Sequence, residues 1–448
     1  MHEQIAYAEI DSWREKLEKL ALAIWEHPEG PYREEKACEW TAQLLREAGF
    51  SVETGVGGIR TAIRASWGKG KPVYGLLGEY DALPGMSQKV CTHKEAVQEG
   101  GWGQACGHNL LGVAHVGAAI GLKKALEQSG CEGTVVYFGC PAEEVLTGKA
   151  FMARAHVFDG IDFCAAFHPG SMNDVNFGTA TGLNSFKLHF KGRTAHAGGD
   201  PHNGRSALDA VELTNVGINY LREHVPTTVR MHYVITEGGV APNIVPDKAC
   251  AWYFVRALTR ELIDEVYARV LDIARGAAQM TGTELEVEFL GGCYPTLNNR
   301  VLGEVMYDAL CKAPREPWSK EELEFAAQLN GNKDLPEPLH TGVVKFESDT
   351  FGSTDVGDVQ HIAPGIAFDT ACCNMGAPGH HWQITACSGH SLGLKGTIYA
   401  AKAMALFGLN VMENPEILEK AKKEFEEKTA GKPYVCPIPA EIPVPNQD

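Results

Sequence analysis

The amino-acid sequence predicts an α/β protein. A large domain built on a mostly parallel sheet flanked by helices is interrupted by an inserted α+β domain with an antiparallel sheet. Two observations carry this. Short apolar runs alternate with helical patterns up to residue 182 and again after 295, as a parallel sheet covered on both faces requires. From about 183 the texture changes: Ser185-Phe-Lys-Leu-His-Phe190 alternates polar with apolar residues, the mark of a strand wetted on one face, and further strands and two helices follow up to 294. The larger unit is therefore expected to span 1–182 and 295–448, and the insert 183–294. A chain of 448 residues has room for both, since one domain ordinarily takes roughly 150 residues.

In chain order, the first fifty residues read as two amphipathic helices broken around Pro28-Glu-Gly-Pro31, the second stopping at Ala48-Gly49. Strands are expected at 59–65, 73–77, 134–138 and 161–167, with a helix over 110–128. In the insert, 185–190, 231–236, 249–255 and 284–290 read as strands, and 206–223 and 261–280 as helices. Beyond Tyr294-Pro295 come a strand at 365–370, a helix at 396–409, a charged surface helix at 414–428 and a proline-rich tail.

Hydrophobic residues make up 44% and charged residues 22%, a globular composition. Asp plus Glu number 57 against 40 Lys plus Arg, a net charge of −17 without any basic run. That balance argues against a nucleic-acid partner or an anionic membrane, both of which call for clustered cations. The most apolar stretch, 110–122, is shorter than the ~20 residues a membrane span needs, and no basic, apolar leader opens the chain. A cytoplasmic protein is expected. The thirteen cysteines are scattered and never spaced C-x-x-C, so they read as reduced.

H-E-x-x-H and a phosphate loop are both missing. What remains is a set of metal-capable residues at the ends of predicted strands. Cys106-Gly-His108 opens a helix, and residues two apart on extended chain project to one side, so thiolate and imidazole can share an ion. Glu143-Glu144 follows an apolar strand. Adjacent carboxylates point differently, so one can bind metal while the other holds the attacking water. His168 ends the next strand, and His380, His381 and His390 lie far downstream. In the insert stand His196, between glycines, then Asn243 and Arg256. Each feature taken singly has a plain structural reading as a buried cysteine, a solvated acidic face or a hydrogen-bonded histidine. Several at strand ends of one chain are harder to explain that way.

Gly78-Glu-Tyr-Asp81-Ala-Leu-Pro, Ala-Cys106-Gly-His108-Asn, Pro-Ala-Glu143-Glu144, Gly192-Arg-Thr-Ala-His196-Ala, Ala-Pro-Asn243-Ile-Val-Pro and Ser353-Thr-Asp355 occur in order from about residue 10 to 440. Together they resemble the aminoacylase and carboxypeptidase-type metallopeptidases, in the amidohydrolase branch related to aminobenzoyl-glutamate and indole-3-acetyl-amino-acid hydrolases. The resemblance implies a catalytic α/β domain with two divalent ions, zinc or manganese with cobalt as an alternative, and an inserted lid through which two subunits dimerise. It implies metal ligation by Cys106, His108, Glu144, His168 and His381, with Glu143 as general base and Asp81 orienting a ligand. His196 would reach the partner's site as an oxyanion donor, and Asn243 and Arg256 would contact substrate. The expected substrates are N-acyl or N-aroyl amino acids or small dipeptides, and the partner a second copy or a homologous second subunit. Two departures stand out: Glu79-Tyr-Asp81 replaces the family's His-x-Asp, and Asn109 stands where the branch often has Asp. Two other readings remain, a cysteine hydrolase using Cys106 and a non-catalytic metal-binding member of the fold.

Overall fold

A computed structural model describes residues 2–330 and 335–445; Met1 and the last three residues of the proline-rich tail lie outside them. The chain runs α1 (His2–Glu26), α2 (Glu35–Glu47), β1 (Ser51–Thr54), β2 (Ile63–Lys69), β3 (Val73–Gly78), α3 (His108–Ser129), β4 (Gly133–Gly139), α4 (Gly148–Arg154), β5 (Phe163–Gly170) and β6 (Asp174–Asn176). Next come β7 (Gly182–Lys191), α5 (Ala207–Leu221), β8 (Arg230–Glu237), β9 (Lys248–Ala257), α6 (Arg260–Thr281) and β10 (Glu284–Cys293). The last part holds α7 (Arg300–Lys312), α8 (Lys320–Leu329), β11 (Val344–Phe346), α9 (Val356–Gln360), β12 (Gly365–Ala371), α10 (Trp382–Ser388), α11 (Ser391–Glu413) and α12 (Pro415–Thr429).

The large sheet has the order β1-β2-β4-β3-β5-β12-β6-β11. Its centre, β4-β3-β5-β12, is parallel, and antiparallel pairings enter only toward the edges. Strand alternation divides the buried side chains between two faces. Val135 and Tyr137 of β4 and Phe163, Ala165 and Phe167 of β5 join the core under α1, α3, α7 and α11. Val136, Phe138, Cys164 and Ala166 join a second core with α4 and α9. A separate antiparallel sheet, β10-β7-β9-β8, buries Phe186, Leu188, Tyr253 and Val255 against α5 and α6 in a core of its own.

Two local details depart from simple periodicity. β2 begins at Ile63 instead of residue 59, because Val56–Gly58 makes a 3-10 turn with Gly57 and Gly58 at positive φ. α3 packs so closely on the end of β3 that a Cβ at Gly112 would lie 2.3 Å from the Glu79 carbonyl oxygen, an approach only glycine allows.

Candidate metal centre and active-site cleft

The candidate residues collect at the carboxyl ends of the parallel strands, where open α/β sheets hold their ligands. β3 runs out into Glu79 and Asp81, both buried. Cys106 and His108 flank Gly107, whose left-handed conformation starts α3. After β4, Glu143 and Glu144 sit in a 3-10 turn between Ala142 and Leu146, two non-glycine residues at positive φ. Such conformations cost of order 1–3 kcal/mol each and persist where the surroundings enforce them. The buried carboxylate of Glu34 does so here, accepting from the backbone N–H of Ala142 at 2.8 Å.

Asp81 ties these segments together. One carboxylate oxygen accepts from His108 Nδ1 at 2.9 Å and the other from the backbone N–H of Glu144 at 2.9 Å. With the Asp81 carbonyl also 3.1 Å from Nδ1, the proton belongs there, and Nε2 offers its lone pair inward. That Nε2 is buried without a hydrogen-bond partner, as is Glu144 Oε1. It faces Glu79 Oε2 at 3.3 Å, Glu143 Oε2 at 3.7 Å and Glu144 Oε1 at 4.0 Å. A lone pair ringed by carboxylates calls for a positive charge. Burial pushes Glu143 well above the usual carboxylate range and Glu144 up to about 7, with neighbouring carboxylates adding to both. Burial opposes charge on His108, but Cys106 and Asp81 outweigh it and hold the imidazole well above its ordinary value. The field that draws a proton onto His108 draws a cation equally well.

The donors fall into groups whose ligand atoms lie within 4.8 Å of one another: Cys106–His108–His168, Cys106–Glu144–His380 and Glu79–His108–Glu143. Cys106 Sγ is 3.2 Å from His168 Nε2, and His380 Nε2 is 3.5 Å from Glu144 Oε2. These soft and hard donors, with their unpartnered buried atoms, fit a divalent metal. His381 is not in these groups: it stands at the N-cap position of α10 without a side-chain capping bond, its ring against Trp382 and its Nδ1 buried without a partner. His380, in a left-handed conformation with φ 51°, joins the cluster instead. His390 is also elsewhere, stacked on Phe325 at 4.1 Å.

Behind the donors lies a pair of ion contacts that motif reading missed. Lys149 of α4 is fully buried, with Nζ 2.5 Å from Glu79 Oε1 and 2.6 Å from Asp355 Oδ1. Burial favours the neutral amine, but Asp355 and Glu79 keep the ammonium charged. Lys149 in turn holds Glu79 below the usual carboxylate range despite burial. The one sequence signal was a lysine inside the apolar run Lys149-Ala-Phe-Met-Ala.

The donors open into a cleft of about 1410 Å³ that is also lined by Trp102 and by Trp252, Phe254 and Arg256 of the insert. Arg256 Nη1 donates to Ser353 Oγ at 2.7 Å. His196 and Asn243 stay outside this chain's cleft, on the exposed insert surface, where their backbones meet through Ala197 N–H and Asn243 O at 3.0 Å. His196 Nδ1 accepts from the N–H groups of Gly198 and Gly199 at 3.2 and 2.9 Å, leaving Nε2 as the donor of the neutral ring.

A mostly parallel α/β sheet with a donor cluster at its carboxyl edge and an α+β insert beside the cleft is an arrangement suited to metal-assisted hydrolysis. Residues 179–279 match the peptidase dimerisation domain family. The chain is 40% identical to a p-aminobenzoyl-glutamate hydrolase subunit of Escherichia coli K12, over 97% of this chain and 96% of that protein. It is 30% identical to the Xaa-Arg dipeptidase of Mus musculus, over 93% and 90%. A dinuclear metal-binding peptidase of the M20 family from Bacillus subtilis shares the fold, with a TM-score of 0.62, 20% identity and coverage of 90% and 99%. The chain belongs to the M20 family of peptidases and amidohydrolases, and it is a hydrolase. Among the described residues no helix is long and apolar enough to cross a membrane.

Proposed function

We propose that this chain hydrolyses the amide bond of N-acyl or N-aroyl amino acids, or of small dipeptides, using two divalent metal ions. One observation carries the reading: two donor groups share Cys106, and in them His108 Nε2 and Glu144 Oε1 are buried without hydrogen-bond partners. Cys106, His108 and His168 would hold one ion, and Cys106, Glu144 and His380 the other, with zinc suited to the thiolate and manganese next. When bound, such ions lower the pKa of water and polarise the amide carbonyl.

Glu143 is the proton carrier. It borders the donor groups, and burial raises its basicity as a general base near neutral pH requires. It takes the proton of the attacking water and returns it to the leaving nitrogen. Asp81 fixes the His108 tautomer and the start of the Glu143-Glu144 turn. In the cleft, Trp102, Trp252 and Phe254 favour an aromatic acyl group, and Arg256 supplies a cation for a carboxylate.

The 182–293 unit acts as lid and dimerisation domain. Its α5 exposes Leu213, Val216 and Tyr220 along one face, Tyr220 by 73%, and its edge strand β8 exposes Tyr233, Val234 and Ile235. An open strand edge beside apolar side chains favours a second subunit, identical or homologous. His196, with its Nε2 donor turned outward, would then serve the partner's cleft.

The contact of Cys106 with His168 also raises a cysteine-nucleophile mechanism. Burial pushes the Cys106 thiol up to about 12, the opposite of the depressed value a nucleophilic cysteine needs. Hydrolysis of a panel of N-aroyl amino acids and dipeptides by zinc- or manganese-reconstituted protein tests the proposal. Activity lost to a chelator and restored by metal is expected. Chelator-resistant activity abolished by alkylation would hand the reaction to Cys106.

A further inference from the structure

Leu83 and Gly103 close the base of a projecting loop, each donating its N–H to the other's carbonyl at 3.0 Å. The loop's two ends, Pro84 and Trp102, line the cleft. Its fold turns on one side chain. Gln88 is only 1% exposed; its Nε2 donates to the carbonyls of Lys89 and His93 at 3.0 and 2.9 Å and touches Cys91 Sγ at 3.4 Å. Its Oε1 accepts from Glu95 N–H at 2.9 Å, and Lys89 N–H bonds Glu95 O at 2.8 Å. Residues 89–95 therefore form a closed turn around a buried amide, and Thr92 Oγ1 anchors it to Gln328 of α8 at 3.1 Å.

This turn brings Cys91, His93 and Glu95, at alternate positions, together with one donor atom each within 4.8 Å of the others. None of the three lines the cleft, and the hydrolytic reaction has no use for them. We propose that Cys91, His93 and Glu95 bind a zinc ion at a site separate from the cluster in the cleft. Thiolate, imidazole and carboxylate are the zinc donor set, and a thiolate selects against magnesium or calcium. Three protein donors on an exposed turn leave the fourth position to water. His93 Nε2 and Glu95 Oε2 are hydrogen-bonded at 3.0 Å, so a small separation brings both onto one ion in place of the shared proton. Lys89 Nζ pairs with Glu95, so an incoming ion displaces one ammonium and one thiol proton.

The test is differential alkylation of the wild-type protein, stripped of metal and then titrated with zinc alone. Trypsin separates Cys91, in Val90–Lys94, from Cys106, so the two thiols are read independently of each other and of any activity. Zinc should protect Cys91 at concentrations that leave exposed Cys311 fully reactive. C91S/H93Q should take up one equivalent of zinc fewer than wild type and keep its hydrolytic rate. Equal zinc uptake by both proteins overturns the proposal. So does protection of Cys91 only where Cys311 is equally protected, which marks an adventitious ion only.

Discussion

At the scale of single residues, adjacent carboxylates join different donor groups. Glu144 approaches His380 and shares a donor group with Cys106, whereas Glu143 groups with Glu79 and His108. Glu143→Gln should keep both ions and lose activity by about 100- to 10,000-fold, the usual worth of a positioned proton carrier; elemental analysis beside steady-state kinetics checks both halves. The same measurement separates the two histidines at the C-terminal end. His380→Ala should lower metal occupancy and activity together, while His381→Ala should leave occupancy unchanged. Reversed phenotypes would return the role to His381. Sequence alone gave no ground for preferring His380 to its neighbour His381, because which of two adjacent histidines faces the cluster depends on local backbone conformation, and His380 sits at positive φ, a state that no residue pattern announces.

At the scale of elements, much was legible, and the reason is periodicity. β3, β4, β5 and β12 stand within a few residues of their expected places, because a buried parallel strand is a short continuous apolar run. The insert was readable too, from the alternation of β7 and the amphipathic stripe of α6. β1, β6 and β11 were not. They are pieces of three or four residues at or next to the sheet edges, held by neighbouring strands rather than by any pattern of their own. The short α4 was missed as well, and with it Lys149. Its ammonium joins β3, α4 and the segment before α9 through Glu79 and Asp355. Removing one member of a buried ion network leaves uncompensated charge and costs about 3–5 kcal/mol. Lys149→Met should therefore lower the thermal midpoint and loosen metal binding, and Lys149→Met with Glu79→Gln should recover part of the loss. A single variant as stable as wild type in thermal denaturation would show the network to be idle.

At the scale of the whole molecule, His196 and Asn243 are exposed and stand outside the chain's own cleft, and the proposed dimer would bring His196 to the partner's. Loss of an oxyanion donor typically costs about 100- to 1,000-fold, so His196→Ala should be nearly inactive with its metals intact. Mixing it with Glu143→Gln, also inactive, should restore activity, because one cleft of a mixed dimer holds its own Glu143 and receives the partner's His196. Background activity after verified subunit exchange would confine His196 to its own chain.

The pairing of β5 with β12 has a consequence for how this protein is born. The two strands lie side by side at the middle of the large sheet, yet about 195 residues, including the whole insert, are translated between them, roughly 10–40 seconds of synthesis. During that interval β5 presents a bare edge to solvent or to a chaperone, Lys149 waits for Asp355, and His380 has not been made. The donor group of Cys106, Glu144 and His380 is therefore completed only after the strand that closes the middle of the sheet has been made.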